Sequence, residues 1–151
     1  MSNNSFDNRI VGYTTGVFDL FHIGHLNLLK NAKAMCDILI VGCSTDEVVQ
    51  KMKNKSPVVP FLERIEILDA VPYTDVVVSQ ELDDYSDKLK AWERYKFNII
   101  FVGSDWQGTE KWNKLEGRFK EVGVKTIYFP YTKTTSSTKI NKILDASISY
   151  L

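Results

Sequence analysis

Apolar positions recur along this chain with two periods, and the switch from one to the other marks out its elements. Short apolar runs stand at Arg9–Thr15 (with Ile10, Val11 and Tyr13), Asp37–Cys43, Asp75–Ser79, Asn98–Val102 and Lys125–Phe129. Runs of this length between polar stretches predict β-strands. Asp37–Cys43 is continuously apolar through Ile-Leu-Ile-Val, as expected of a central parallel strand covered on both faces. Between the strands the spacing becomes helical. Leu26, Leu28, Leu29, Ala32 and Met35 predict a helix over Gly24–Cys36, and Leu62, Ile65, Leu68 and Ala70 predict one that Pro60 opens and that runs to Val71. Further helices are predicted at Asp84–Lys96, capped around Asp84–Ser86, and at Thr109–Val122. Ser44 or Thr45 is placed to cap a helix with Asp46 and Glu47 in its first turn, and Ser136 or Ser137 to start the last helix. Lys51–Pro60 reads as a basic loop bounded by proline, and Gly103–Gly108 as a second loop.

Strands alternating with helices predict an α/β fold around a parallel sheet. In open sheets of this kind ligands bind beyond the carboxyl ends of the strands. Gly16–His25, Gly103–Gly108 and Pro130–Thr138 all fall at such ends, so the chemistry is expected on one rim.

At 151 residues, 44% hydrophobic and 25% charged, the chain has the composition of an ordinary globular domain. Residues 1–8 are expected to form a flexible tail and 9–151 one domain. Nineteen basic residues balance nineteen acidic ones, which argues against nonspecific binding to nucleic acid or membranes but leaves room for a local basic pocket. Cys36 and Cys43 are too few for a disulfide framework and are expected as buried, reduced thiols. The polar opening residues do not resemble a leader, and no apolar run reaches the length of a membrane span, so a cytoplasmic protein is expected.

The chemistry concentrates in Thr14-Thr15-Gly16-Val17-Phe18-Asp19-Leu20-Phe21-His22-Ile23-Gly24-His25. Two histidines three residues apart, between a strand and a helix, are expected to point the same way beside free N–H groups of a helix start, a place that attracts phosphate. Imidazole N–H groups donate to phosphate oxygens. Gly16 and Gly24 are expected to let backbone approach a ligand, Thr14 and Thr15 to add hydroxyls, and Asp19 to fix the turn. A metal site is not indicated, because no further ligands accompany the histidines.

Gly16-Val17-Phe18-Asp19-Leu20-Phe21-His22-Ile23-Gly24-His25 resembles the signature of the nucleotidyltransferase superfamily, particularly its cytidylyltransferases. Ser44-Thr45-Asp46-Glu47, Glu63-Arg64, Gly103-Ser104-Asp105-Trp106 and Ser136-Ser137-Thr138-Lys139-Ile140 also resemble segments of that family, and the likeness runs from about Ile10 to Leu144. It implies a Rossmann-like sheet of order 3-2-1-4-5. It implies transfer from CTP, with Mg²⁺, to a small phosphorylated alcohol such as glycerol 3-phosphate, and a homodimer. Carried over by residue, it implies that Thr14, Thr15, Gly16, Phe18, His22, His25, Asp105, Ser136, Ser137 and Thr138 bind nucleotide. His22, His25 and Lys53 would act in catalysis, and Lys51, Lys53, Lys55 and Trp106 would meet the substrate.

The chain departs from the family pattern at four positions: Tyr131 stands for an arginine, Thr134 for a glycine, Pro72 for a second arginine and Ser104 for an aspartate. Arg64 is expected to be structural, as at a dimer contact, with a catalytic role the alternative; Trp92 is expected in the core, and Trp106 at the site rim. An ATP-using adenylyltransferase and a nucleotide-binding module without catalysis are the competing readings. His-Ile-Gly-His also resembles the class I aminoacyl-tRNA synthetases, but the chain is too short and too neutral for tRNA.

Overall fold

The computed structural model describes residues 8–148; the expected tail, apart from Asn8, lies outside them. Five strands run β1 (Val11–Gly16), β2 (Ile38–Ser44), β3 (Val76–Gln80), β4 (Ile99–Gly103) and β5 (Lys125–Phe129). All neighbours pair in parallel, in the order β3-β2-β1-β4-β5. This is the Rossmann-like α/β arrangement that the family resemblance implied. The helices are α1 (Ile23–Lys33), α2 (Asp46–Lys53), α3 (Phe61–Ala70), α4 (Leu82–Ser86), α5 (Lys88–Tyr95), α6 (Glu110–Glu121) and α7 (Ser137–Ile148).

Alternation along the strands sorts the core into two layers, because side chains two apart share a sheet face. Leu39, Val41 and Cys43 of β2 join Phe101 of β4 on one side, where Leu29 and Ala32 of α1 and Leu68 of α3 cover them. Ile40, Ile100 and Val102 face the other side, against Leu89 and Ala91 of α5 and Trp112, Leu115 and Phe119 of α6. Tyr13 stacks on Phe97 there, with ring centroids 4.7 Å apart. Trp112 is thus a core residue, and Trp92 packs at the edge of the same cluster. Cys43 is buried and Cys36 half-buried.

The structure revises several boundaries. The segment expected as a loop from Lys51 begins only after Lys53, because Asn54 takes a left-handed conformation (φ 53°) and ends α2 there. Pro60 is the cap before α3, one position ahead of the first helical turn. The expected helix over Asp84–Lys96 is two helices, broken at Asp87, whose carboxylate accepts from Leu89 N–H and caps α5. Asp84 therefore caps nothing; it lies buried within α4. The Gly103–Gly108 loop contains a single 3₁₀ turn, Ser104–Trp106.

The crossover from edge strand β3 back to β4 leaves a crevice beyond the carboxyl ends of β1 and β4, the switch point where ligands settle in open α/β sheets.

Candidate active site

His22 and His25 sit at this crevice, and their rings face each other with centroids 3.9 Å apart. They do not share a helix face as expected. His22 stands before α1 in an extended conformation and is its cap. Its Nδ1 accepts from Gly24 N–H at 3.0 Å, so that N–H is already engaged, and His25 Nδ1 accepts from His22 N–H at 3.2 Å. Two histidines thus form a reciprocal capping box, a role usually taken by Ser or Thr with Glu.

This cap fixes the tautomers. A ring nitrogen that accepts carries no hydrogen, so each neutral imidazole carries its proton on Nε2. Burial holds the His25 pKa down to about 4, helped by the neighbouring His22 and opposed by Asp19; burial also lowers that of His22. At neutral pH the pair is therefore two neutral donors. Gly24 makes the arrangement possible: a Cβ there would lie 2.8 Å from Cε1 of the His22 ring. The room is needed by the histidine, where the sequence suggested a ligand. Phe18 and Phe21 hold the His25 ring from two sides, each 5.4 Å centroid to centroid. Phe18 is therefore buried support for His25, and its ring fills the space beside Gly16.

Asp19 fixes the turn between Phe18 and Leu20, both left-handed at φ 54° and 51°. Its carboxylate accepts from Val58 and Val59 N–H at 2.8 and 2.9 Å, and its carbonyl accepts from Ser137 Oγ at 2.6 Å. The histidine loop, the lysine-bearing segment and the start of α7 are joined through this one residue. Arg64 adds a second clamp. Buried to 1% exposure, it donates to the carbonyls of Val17, Ser44 and Val59 and pairs with Asp46 at 2.6 Å.

Two clefts open at the crevice and share Leu28 and Gly103. The first, about 300 Å³, has His22, Gly24, Asn27 and Asn31 on one wall and Tyr131, Thr132, Thr135 and Ser136 on the other. Asn27 Nδ2 donates to Thr132 Oγ1 across it at 3.0 Å. The second, about 230 Å³, has Thr14, Thr15 and Gly16 as its floor and carries Lys53, Gln80, Tyr85, Lys88, Trp106 and Lys111. Thr14 is occupied in donating to Phe101 O, whereas Thr15 Oγ1 lies 3.3 Å from Lys88 Nζ.

The expected rim therefore exists, with uneven membership. His22, Gly16, Lys53, Trp106 and Ser136 line the clefts. Lys51 pairs with Glu47 at 3.4 Å, and neither it nor Lys55 lines either cleft. Burial, with the Asp105 carboxylate as an acidic neighbour, raises the pKa of the Tyr131 phenol. Tyr131 Oη is 3.3 Å from where a Cβ on Gly103 would lie, so the residue standing for the family arginine packs closely over the end of β4. Ser136 Oγ accepts from Lys139 N–H and caps α7; Thr138 is exposed beyond it. Asn27, Asn31, Tyr85, Lys88 and Lys111 escaped the sequence reading. Lys88 carried a signal, being four residues before the packed Trp92 on the inner stripe of α5.

A βαβ sheet with a histidine pair at its switch point is the architecture of a nucleotide-handling enzyme, and the comparisons agree. Residues 13–143 match the cytidylyltransferase-like family, and the chain belongs to that family, within the nucleotidyltransferase superfamily. It is 35% identical over 146 residues to the FAD synthase of Pyrococcus abyssi, covering 95% of this chain and 94% of that protein. It is 32% identical over 136 residues to the glycerol-3-phosphate cytidylyltransferase of Staphylococcus aureus, covering 90% and 94%. Among solved structures, a lipopolysaccharide core biosynthesis protein from Thermoplasma volcanium shares the fold with a TM-score of 0.67 at 24% identity, over 84% of this chain and 99% of that one. Among the described residues no helix is long and apolar enough to cross a membrane.

Proposed function

We propose that this protein transfers a cytidylyl group from CTP to a small phosphorylated alcohol, with glycerol 3-phosphate the favoured acceptor, releasing pyrophosphate. The observation that carries the reading is the facing histidine pair, with both Nδ1 atoms engaged by backbone, the proton of each ring on Nε2, and His22 lining the first cleft. An oxygen of the acceptor phosphate attacks the α-phosphorus of CTP. The bond from that phosphorus to the bridging oxygen breaks, and pyrophosphate leaves with the electron pair. The nucleophile is already an anion, so the chain needs no strong base. Its task is to align the reactants and to meet charge at the α-phosphate and on the leaving group. His22 and His25 serve the former. Ser136, Ser137 and Thr138 at the start of α7 serve the leaving phosphates, and Lys53 and Trp106 face the acceptor.

Mg²⁺ would neutralise part of the triphosphate charge. Among the described residues no three His, Cys, Asp or Glu side chains gather to hold an ion. A magnesium ion would then be carried on the nucleotide's own phosphates, as this ion commonly is. We also propose that the protein acts as a homodimer.

The similarity to FAD synthases makes adenylyl transfer to a flavin mononucleotide the second reading. Pyrophosphate release measured with CTP or ATP against a panel of phosphorylated alcohols and FMN separates them. Turnover with CTP and glycerol 3-phosphate is expected; robust turnover with ATP and FMN and none with CTP overturns the proposal.

A further inference from the structure

The first cleft is lined by side chains without formal charge. Its polar side chains are the His22 ring, kept neutral by a lowered pKa, the amides of Asn27 and Asn31, and hydroxyls between Tyr131 and Ser136. The second cleft differs in kind, being lined by three lysines. Where the family resemblance placed an arginine, Tyr131 sets an aromatic ring, 55% exposed, over Gly103 at the end of β4. A phenol brings no charge to a triphosphate, whereas its ring offers a planar base a face to stack on. His22 and Ser136, which meet the phosphates in the reading above, border the same cleft. The rest of its wall is therefore suited to the uncharged part of the nucleotide.

One amide on that wall has its orientation set. Asn27 Nδ2 donates to Thr132 Oγ1 at 3.0 Å. Thr132 is itself held against the start of α1, with its Cβ 3.7 Å from where a Cβ on Gly24 would stand. Among the described residues the Asn27 Oδ1 takes part in no hydrogen bond. An unpinned amide turns over and offers a ligand its donor or its acceptor alike. With the nitrogen turned to Thr132, this one presents its oxygen.

We propose that Asn27, its amide set by Thr132, selects nucleotides whose base carries an exocyclic amino group and rejects their keto counterparts. The inference rests on the reading of the site as a nucleotidyltransferase's and adds how the base is chosen. Cytosine and adenine each present an amino donor on the base edge. Uracil and hypoxanthine place a carbonyl oxygen at the same position. Two acceptors would then face each other, and the amide could relieve the clash only by giving up Thr132. Asn27 is thus a specificity-determining residue with no part in the chemical step. The rule admits CTP and ATP and excludes UTP and ITP.

The test is calorimetric titration of the full chain with CTP, UTP, ATP and ITP in the presence of Mg²⁺ and without acceptor. Whichever of CTP and ATP binds the parent more tightly is expected to exceed its keto counterpart, UTP or ITP, by at least roughly fivefold. Asn27→Ala should close that gap by weakening the amino nucleotide. Thr132→Val removes the hydroxyl and keeps the branched shape, so the amide is free to turn over and the gap should close by a gain for the keto nucleotide. Asn27→Asp presents only acceptors, so the gap should persist while both nucleotides bind more weakly. A smaller gap in the parent overturns the proposal, as does one that Asn27→Ala or Thr132→Val leaves unchanged or that Asn27→Asp abolishes. An intact gap without turnover of CTP and glycerol 3-phosphate strikes the cytidylyl-transfer reading alone, and turnover without the gap strikes the role of the amide alone.

Discussion

The two histidines do structural and chemical work with different atoms, and each task can be removed separately. In His22→Asn the amide oxygen replaces Nδ1 as cap, so stability should stay within about 1 kcal/mol of the parent in urea unfolding. The Nε2 donor is lost, so kcat should fall roughly 10²–10³-fold. A variant that keeps activity would show that His22 is a cap only. His25 makes a pH prediction. In the folded chain it takes a proton near pH 4, and in the unfolded chain near its ordinary value of about 6.5. Between those values the unfolded state binds more protons, so stability falls as pH drops from about 6.5 to 4 and loses nothing further from this residue below that. The full contribution is at most about 3 kcal/mol. His25→Gln should show a correspondingly flatter stability profile across this range, and parallel profiles would reject the assignment. The pair was evident in the sequence as His-x-Gly-His, but its form was not. Spacing alone suggested one helix face, whereas capping placed His22 outside the helix, because an extended residue there satisfies a helix N–H that no side chain within α1 could reach.

At the level of elements, the strands were readable because each buried run is short, and β2 is apolar on both faces. The breaks were harder to read. The α4–α5 break depends on Asp87 capping a helix within what looked like one polar-apolar period, and the end of α2 depends on Asn54 adopting φ 53°. Propensity foresees neither when the surrounding residues favour helix. Arg64 belongs to this scale, because its guanidinium ties the end of β1, the end of β2, the start of α2 and the turn before α3 together. The sequence left open a structural role, as at a dimer contact, or a catalytic one, and its burial within the chain identifies a clamp. Arg64→Met would strand three carbonyls and the Asp46 carboxylate. The Asp46 carboxylate is half exposed, so the cost lies mainly in the carbonyls left without their charged donor, about 1–3 kcal/mol. Urea unfolding should show a loss of that order, and Lys53 should lose its place at the cleft, raising the acceptor KM more than the nucleotide KM. A loss below about 1 kcal/mol would mean that the four connections hold without the guanidinium.

For the whole molecule, strand order and rim followed from family resemblance and from alternation of elements, while the partner surface had no signal in either. It becomes visible only when α3 lies beside the sheet edge. Strand β3 is terminal, Val76 is 43% exposed on it, and Leu62 of α3 is 73% exposed; Phe61, Leu62, Ile65, Val77 and Val78 line one open groove between them, rimmed by Glu66, Asp69 and Ser79. An unpaired strand edge beside contiguous apolar surface is a feature that soluble proteins usually cover. A second copy of the chain would cover it in the proposed homodimer. The groove lies on the opposite side of β2 from β1 and β4, so pairing there would leave both clefts open. Leu62→Asp places a charge in the groove at a position with little packing of its own to lose. Light scattering coupled to size exclusion should therefore report a dimer for the parent and a monomer for this variant, with thermal stability of the variant becoming independent of protein concentration. A parent that runs as a monomer at micromolar concentration, or a variant that stays dimeric, would place the contact elsewhere or remove it.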